Sequence, residues 1–145
     1  VLDDGKVKDR IIIPVAALRD EGTSYHYLAS APEIQAAPAS IQAVEHVLAS
    51  LGYSYIKGKT WTSDGIYRET KAAIQERRQE GCLAVEMECA SMLAVAKYRN
   101  IPFIQFLYGA DSLSKDTWEI RDLALHGLPQ AEKYMTLALE CGLAL

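Results

Sequence analysis

The hydrophobic positions of this chain switch between two periods. Ile11-Ile12-Ile13-Pro14-Val15-Ala16-Ala17 is an unbroken run rich in β-branched residues, which predicts a strand buried on both faces of a sheet. Arg19 to Leu28 is polar and aromatic and predicts a loop of the kind that carries binding residues. Ala31 to Pro38 is a connector. From Ser40 the period lengthens. Ile41, Val44, Val47, Leu48 and Leu51 share one helical face, with Ser40 as the N-cap and Gly52 as the stop.

Tyr53 to Trp61 alternates and reads as a second strand, and Arg68 to Glu80 as a charged amphipathic helix ended by Gly81. Cys82 to Val85 is a short buried strand. Glu88 to Arg99 is a helix with Met92, Leu93, Val95 and Ala96 inward, stopped by Asn100 and Pro102. Phe103 to Tyr108 reads as a further strand, and Pro129 suits the first position of a last helix reaching about Gly142. Strands alternating with helices predict an α/β fold in layers, with a largely parallel sheet. Without repeats or a linker, residues 1–145 read as one partial domain. The chain enters its first strand almost at once and has no initiator Met, which reads as truncation at the N-terminus.

Composition narrows the classes. Half of the 145 residues are hydrophobic, the net charge is -4 and the pI is about 5.4. An acidic chain offers no electrostatic case for nucleic acid or a membrane surface. No apolar run approaches the roughly 18 residues of a membrane span. Cys82, Cys89 and Cys141 lack framework spacing and read as reduced thiols of a cytoplasmic protein. His26, His46 and His126 are scattered, so no metal site is expected.

In parallel α/β sheets, ligands gather at the carboxyl ends of strands. Polar residues follow each of those ends. Glu86 and Glu88 stand two apart at a strand-to-helix junction, which in extended backbone puts both carboxylates on one side. They either complement the helix dipole or accept hydrogen bonds from a vicinal diol. Met87 is either core filler or an apolar floor for a sugar. Asp111, just past Gly109, is a turn residue or a general acid. Tyr67 packs, or stacks on a base.

Val85-Glu86-Met87-Glu88-Cys89-Ala90 ahead of an apolar helix resembles the ribose signature of the nucleoside phosphorylases that include bacterial purine nucleoside phosphorylase and uridine phosphorylase. Arg19 to Leu28 and Trp61 to Thr70 resemble other segments of that family, in the same order, with Asp111 in place. The resemblance implies a layered α/β/α fold with a mixed, largely parallel central sheet.

It also implies roles. Glu88 would hold the ribose hydroxyls with Glu86 close by, and Met87 would pack on the sugar. Ile66 and Tyr67 would line the base pocket. Asp111 would protonate purine N7, and Arg121, across a loop of different length, corresponds to the arginine that assists it. The implied reaction is a pentosyl transfer from a nucleoside to inorganic phosphate, with no cofactor and no metal, in a homo-oligomer. Thr70 and Ala72 stand where uridine-specific members carry Gln and Arg, which favours purine over uridine specificity. The family's phosphate-binding arginines and glycine-rich turn have no counterpart here, so the chain alone is expected to be inactive. A nucleosidase of the same fold and a non-catalytic nucleoside-binding module are the alternatives.

Overall fold

A computed structural model describes residues 1–115 and 117–145. A short helix α1 (Asp4–Val7) leads into β1 (Ile11–Asp20). After a 3-10 turn over Thr23–His26 come β2 (Glu33–Gln35), α2 (Pro38–Ser50) and β3 (Tyr55–Ser63). A second 3-10 turn, Ile66–Arg68, precedes α3 (Lys71–Gln79), β4 (Cys82–Glu86) and α4 (Cys89–Arg99). A two-residue hairpin, β5 (Asp111–Ser112) and β6 (Glu119–Ile120), is followed by a 3-10 turn over Asp122–Leu125 and α5 (Leu128–Leu143).

The sheet order is β2-β1-β3-β4. The β1–β3 and β3–β4 pairs are parallel and β1–β2 is antiparallel, so the sheet is mixed and mostly parallel. Side chains of β1 divide between its two faces. Ile11, Ile13 and Ala17 pack with α2, α4 and α5 through Val44, Leu48, Ala90, Leu93, Leu137 and Cys141. Ile12 and Leu18 face Val7 of α1, Leu83, Trp61 and the α3 residues Ala73 and Ile74. That is the α/β/α layering the resemblance implied. The β1–β3 register shifts between Pro14 and Ala16, because Pro14 has no N–H to give to the ladder. Opposite Pro14, Gly58 leaves room for Leu83; a β-carbon there would lie 2.7 Å from Leu83 Cγ.

Several expectations are corrected. The helix predicted from a Ser40 cap begins at Pro38 with Ala37 in the cap position, and Ser40 is buried in its first turn. Proline's fixed φ and missing N–H suit it to open a helix, which displaces the serine. Gly52 ends α2 at φ 73° as expected, but Leu51 is exposed. On α4, Met92 points outward, and Cys89, Ala90, Leu93, Ala94 and Ala96 form the buried side. The charged helix starts at Lys71, where Thr70 Oγ1 accepts from Ala73 N at 3.3 Å, rather than at Arg68. Residues Arg19 and Asp20 extend β1 into the expected loop, and β2 forms inside the expected connector. Helix α5 opens at Leu128, one residue before Pro129.

The largest correction concerns Phe103 to Tyr108, which forms no strand. Among the described residues its only ladder contact is an antiparallel bridge in which Ile12 and Leu107 exchange backbone hydrogen bonds of 2.8 and 2.9 Å. Its side chains alternate nonetheless: Ile104 and Phe106 pack toward α2 and α5, Leu107 toward Val1, Val7 and Ile12. The hydrophobic pattern reported burial, and the backbone pairing did not follow.

Candidate active site

A cavity of about 650 Å³ opens at the carboxyl ends of β3 and β4. Its lining is drawn from along the whole chain: Val1; Ile66, Tyr67 and Glu69; Ala84 to Glu88; Leu107, Tyr108, Ala110, Asp111 and Leu113; and Trp118 with Leu123. Six of the seven candidate residues therefore meet at one place: Ile66, Tyr67, Glu86, Met87, Glu88 and Asp111. Among the described residues no lysine or arginine lines it.

The two glutamates line the same cavity but are held differently. Glu86 ends β4, opposite Thr62 of β3 in the parallel register. Its Oε1 accepts from Thr62 Oγ1 at 2.6 Å and Thr60 Oγ1 at 3.2 Å, and its Oε2 from the N–H groups of Glu88 at 2.8 Å and Cys89 at 2.5 Å. Both oxygens are thus taken by the protein. Burial pushes its carboxyl pKa up, against the hydrogen bonds from Thr62 and the backbone that favour the charge. The acceptor satisfies free N–H donors at the start of α4, the reading in which a carboxylate complements a helix N-terminus. Thr62 completes the lock, since its Oγ1 also accepts from Ala90 N at 3.0 Å.

Glu88 occupies the N-cap position of α4 with no capping bond from its side chain, and it is exposed. Among the described residues its carboxylate takes one hydrogen bond, from Met87 N at 3.2 Å. Strand β4 ends at Glu86 and the chain bends over Met87 and Glu88, so the period of a strand does not carry through to Glu88.

Asp111 sits at the start of β5. Its Oδ1 accepts from the nitrogen of Val1 at 3.1 Å and its Oδ2 from Trp118 Nε1 at 3.0 Å. Arg121 is not its partner. That guanidinium bonds Asp4 Oδ2 at 2.5 Å and Glu119 Oε2 at 3.4 Å, and it lines a separate cleft of about 680 Å³ beside α1 and α5, with Tyr108 common to both hollows. Ile66 and Tyr67 reach the cavity from the 3-10 turn, and Tyr67 is 92% exposed, so its ring has no packing partner of its own.

Glu69 and Trp118, whose polar atoms reach or neighbour Asp111, line the cavity without having been singled out from the sequence. Glu69, on the wall with Asp111, has its pKa raised by burial and then by the negative charge of Asp111. It lies inside the Trp61 to Thr70 segment, where its spacing from Tyr67 was a usable signal. Trp118 carried none, since a two-residue strand has no period to read. Conversely, the Arg19 to Leu28 loop does not line the cavity. Arg19 is buried, donates to Ser24 Oγ and the carbonyls of Leu28, Ala29 and Ala31, and stacks 3.9 Å over Tyr25, so its cation holds the loop together. Among the described residues, no group of three or more His, Cys, Asp or Glu is placed to hold a metal ion, and no helix is long and apolar enough to cross a membrane.

The fold is matched by known proteins. Residues 3–139 fit the family model of the phosphorylase superfamily, and the chain belongs to that superfamily. Its fold is similar to that of a purine nucleoside phosphorylase from Toxoplasma gondii solved with immucillin-H, at a TM-score of 0.80 and 19% identity over 97% of this chain and 58% of that one. It is also similar to an AMP nucleosidase from Bacteroides thetaiotaomicron, at 0.70 and 22% over 93% of this chain and 54% of that one. The chain thus spans little more than half the length of these solved relatives.

Proposed function

We propose that this chain carries the sugar and base half of an enzyme that cleaves the N-glycosidic bond of a purine nucleoside and passes the ribosyl group to inorganic phosphate. The observation that carries the reading is the meeting of Ile66, Tyr67, Met87, Glu88 and Asp111 in one cavity at the ends of parallel strands. Glu88, exposed and with acceptor capacity free, takes the two ribose hydroxyls; hydrogen bonds to a charged acceptor are worth about 1.5–3 kcal/mol each. Met87 supports the sugar, and Ile66 and Tyr67 receive the base. Glu86 acts behind them by fixing the turn that presents Glu88.

In the reaction the C1′–N9 bond breaks with its electron pair moving to the base. Asp111 delivers a proton to N7, and a phosphate oxygen forms the new bond to C1′. Orientation of two bound substrates is a large term in such a step. No organic cofactor or metal enters this scheme. The phosphate clamp would come from outside the cavity lining described above, from another segment or a second subunit of a cytoplasmic homo-oligomer. Arg121, turned to Asp4 and Glu119, is left out of the proton transfer.

A hydrolytic reading, with water in place of phosphate, is favoured by one observation: the lining offers four carboxylates, Glu69, Glu86, Glu88 and Asp111, and no lysine or arginine among the described residues. Assay of inosine cleavage by the full-length protein separates the two. Phosphorolysis requires base release to depend on phosphate and ribose 1-phosphate to form in equal amount. Equal release without phosphate, giving free ribose, would establish the nucleosidase.

A further inference from the structure

The hairpin of β5 and β6 joins Asp111 to an aromatic side chain. Asp111 pairs with Ile120 and Ser112 with Glu119, so Trp118, just ahead of β6, is returned to the start of β5. Its indole Nε1 donates to Asp111 Oδ2 at 3.0 Å, while its ring lines the cavity and is 54% exposed. The only other tryptophan, Trp61, is fully buried and donates to Asp20.

We propose that Trp118 is the positioning residue for Asp111, holding the carboxyl group toward the leaving base in N-glycosidic cleavage. The inference rests on the function proposed above and adds a residue to it. Indole is a donor and never an acceptor. Its bond therefore keeps Oδ2 in the accepting role, and with Oδ1 held 3.1 Å from the Val1 nitrogen the plane of the carboxyl group is fixed at two points. Indole is also neutral, so its bond directs the carboxyl group without placing a further charge beside it. Glu69 shares the wall, and its own pKa is raised by burial and then by the charge of Asp111.

The test uses the full-length protein with two nucleosides. Inosine needs a proton on its leaving base; 7-methylguanosine already carries the positive charge and does not. Trp118→Phe keeps the ring and removes the donor. It is expected to lower kcat on inosine by roughly tenfold or more, the loss of one hydrogen bond that aims the acid. KM should stay nearly constant, and 7-methylguanosine should react within about twofold of the wild-type rate. Trp118→His, which restores an N–H, should recover part of the inosine rate. Equal losses on both nucleosides, or none on either, would overturn the assignment while leaving the proposed reaction standing. A wild-type protein that cleaves neither nucleoside would overturn the proposed reaction and this inference with it.

Discussion

The carboxylate of Glu86 accepts four hydrogen bonds from two strands' worth of structure: two threonines of β3 and two amides at the start of α4. Removing it strands several donors in a partly buried place, and an orphaned donor costs about 1–3 kcal/mol. Glu86→Ala should therefore destabilise the protein by about 2–4 kcal/mol, read as a lowered midpoint in chemical denaturation; a loss below about 0.5 kcal/mol would contradict the anchoring role. Glu88 invites the opposite expectation, since its side chain is exposed and takes one backbone hydrogen bond. The sequence places both acids at the junction. It does not tell which is the anchor, because that depends on Thr60 and Thr62 of another strand, brought opposite only by the parallel register.

At the scale of elements, the turn after β1 is tied to α4 by Glu21. Its Oε2 accepts from Ser24 N at 2.9 Å and from Ser91 Oγ at 2.7 Å. Burial works to raise its pKa, but the hydrogen bonds from Ser24 and Ser91 outweigh it and hold the carboxylate below its ordinary value. A depressed pKa contributes stability that is complete above the unfolded value, about 4.3, and is lost as pH falls through the lower folded value. The wild-type protein should thus lose stability below about pH 4 more steeply than Glu21→Gln, as read from thermal melts across pH 2.5–6; parallel profiles would exclude the linkage. Elements with long periods were legible in the sequence: β1, α2, α4 and α5 stand within a few residues of their expected places. Phe103 to Tyr108 was not, since its alternation is satisfied by packing alone. The β5–β6 hairpin and its Trp118 were illegible for want of length.

For the whole molecule, the sheet brings residues from 1 to 123 around one cavity, where six of the seven residues singled out from the order of motifs lie together. The exception was Arg121, which lies in the neighbouring cleft because Asp4 and Glu119 claim its guanidinium; no spacing rule distinguishes those partners from Asp111. The most direct measurement of the central claim, that Glu88 in this cavity holds ribose, is a binding cycle on the full-length protein. Affinities of inosine and its 2′,3′-dideoxy analogue are compared in the wild type and in Glu88→Gln. Wild-type protein should prefer inosine by at least about tenfold, and the variant should lose most of that preference while keeping its melting temperature. A variant that keeps the full preference would contradict the assignment of the ribose to Glu88.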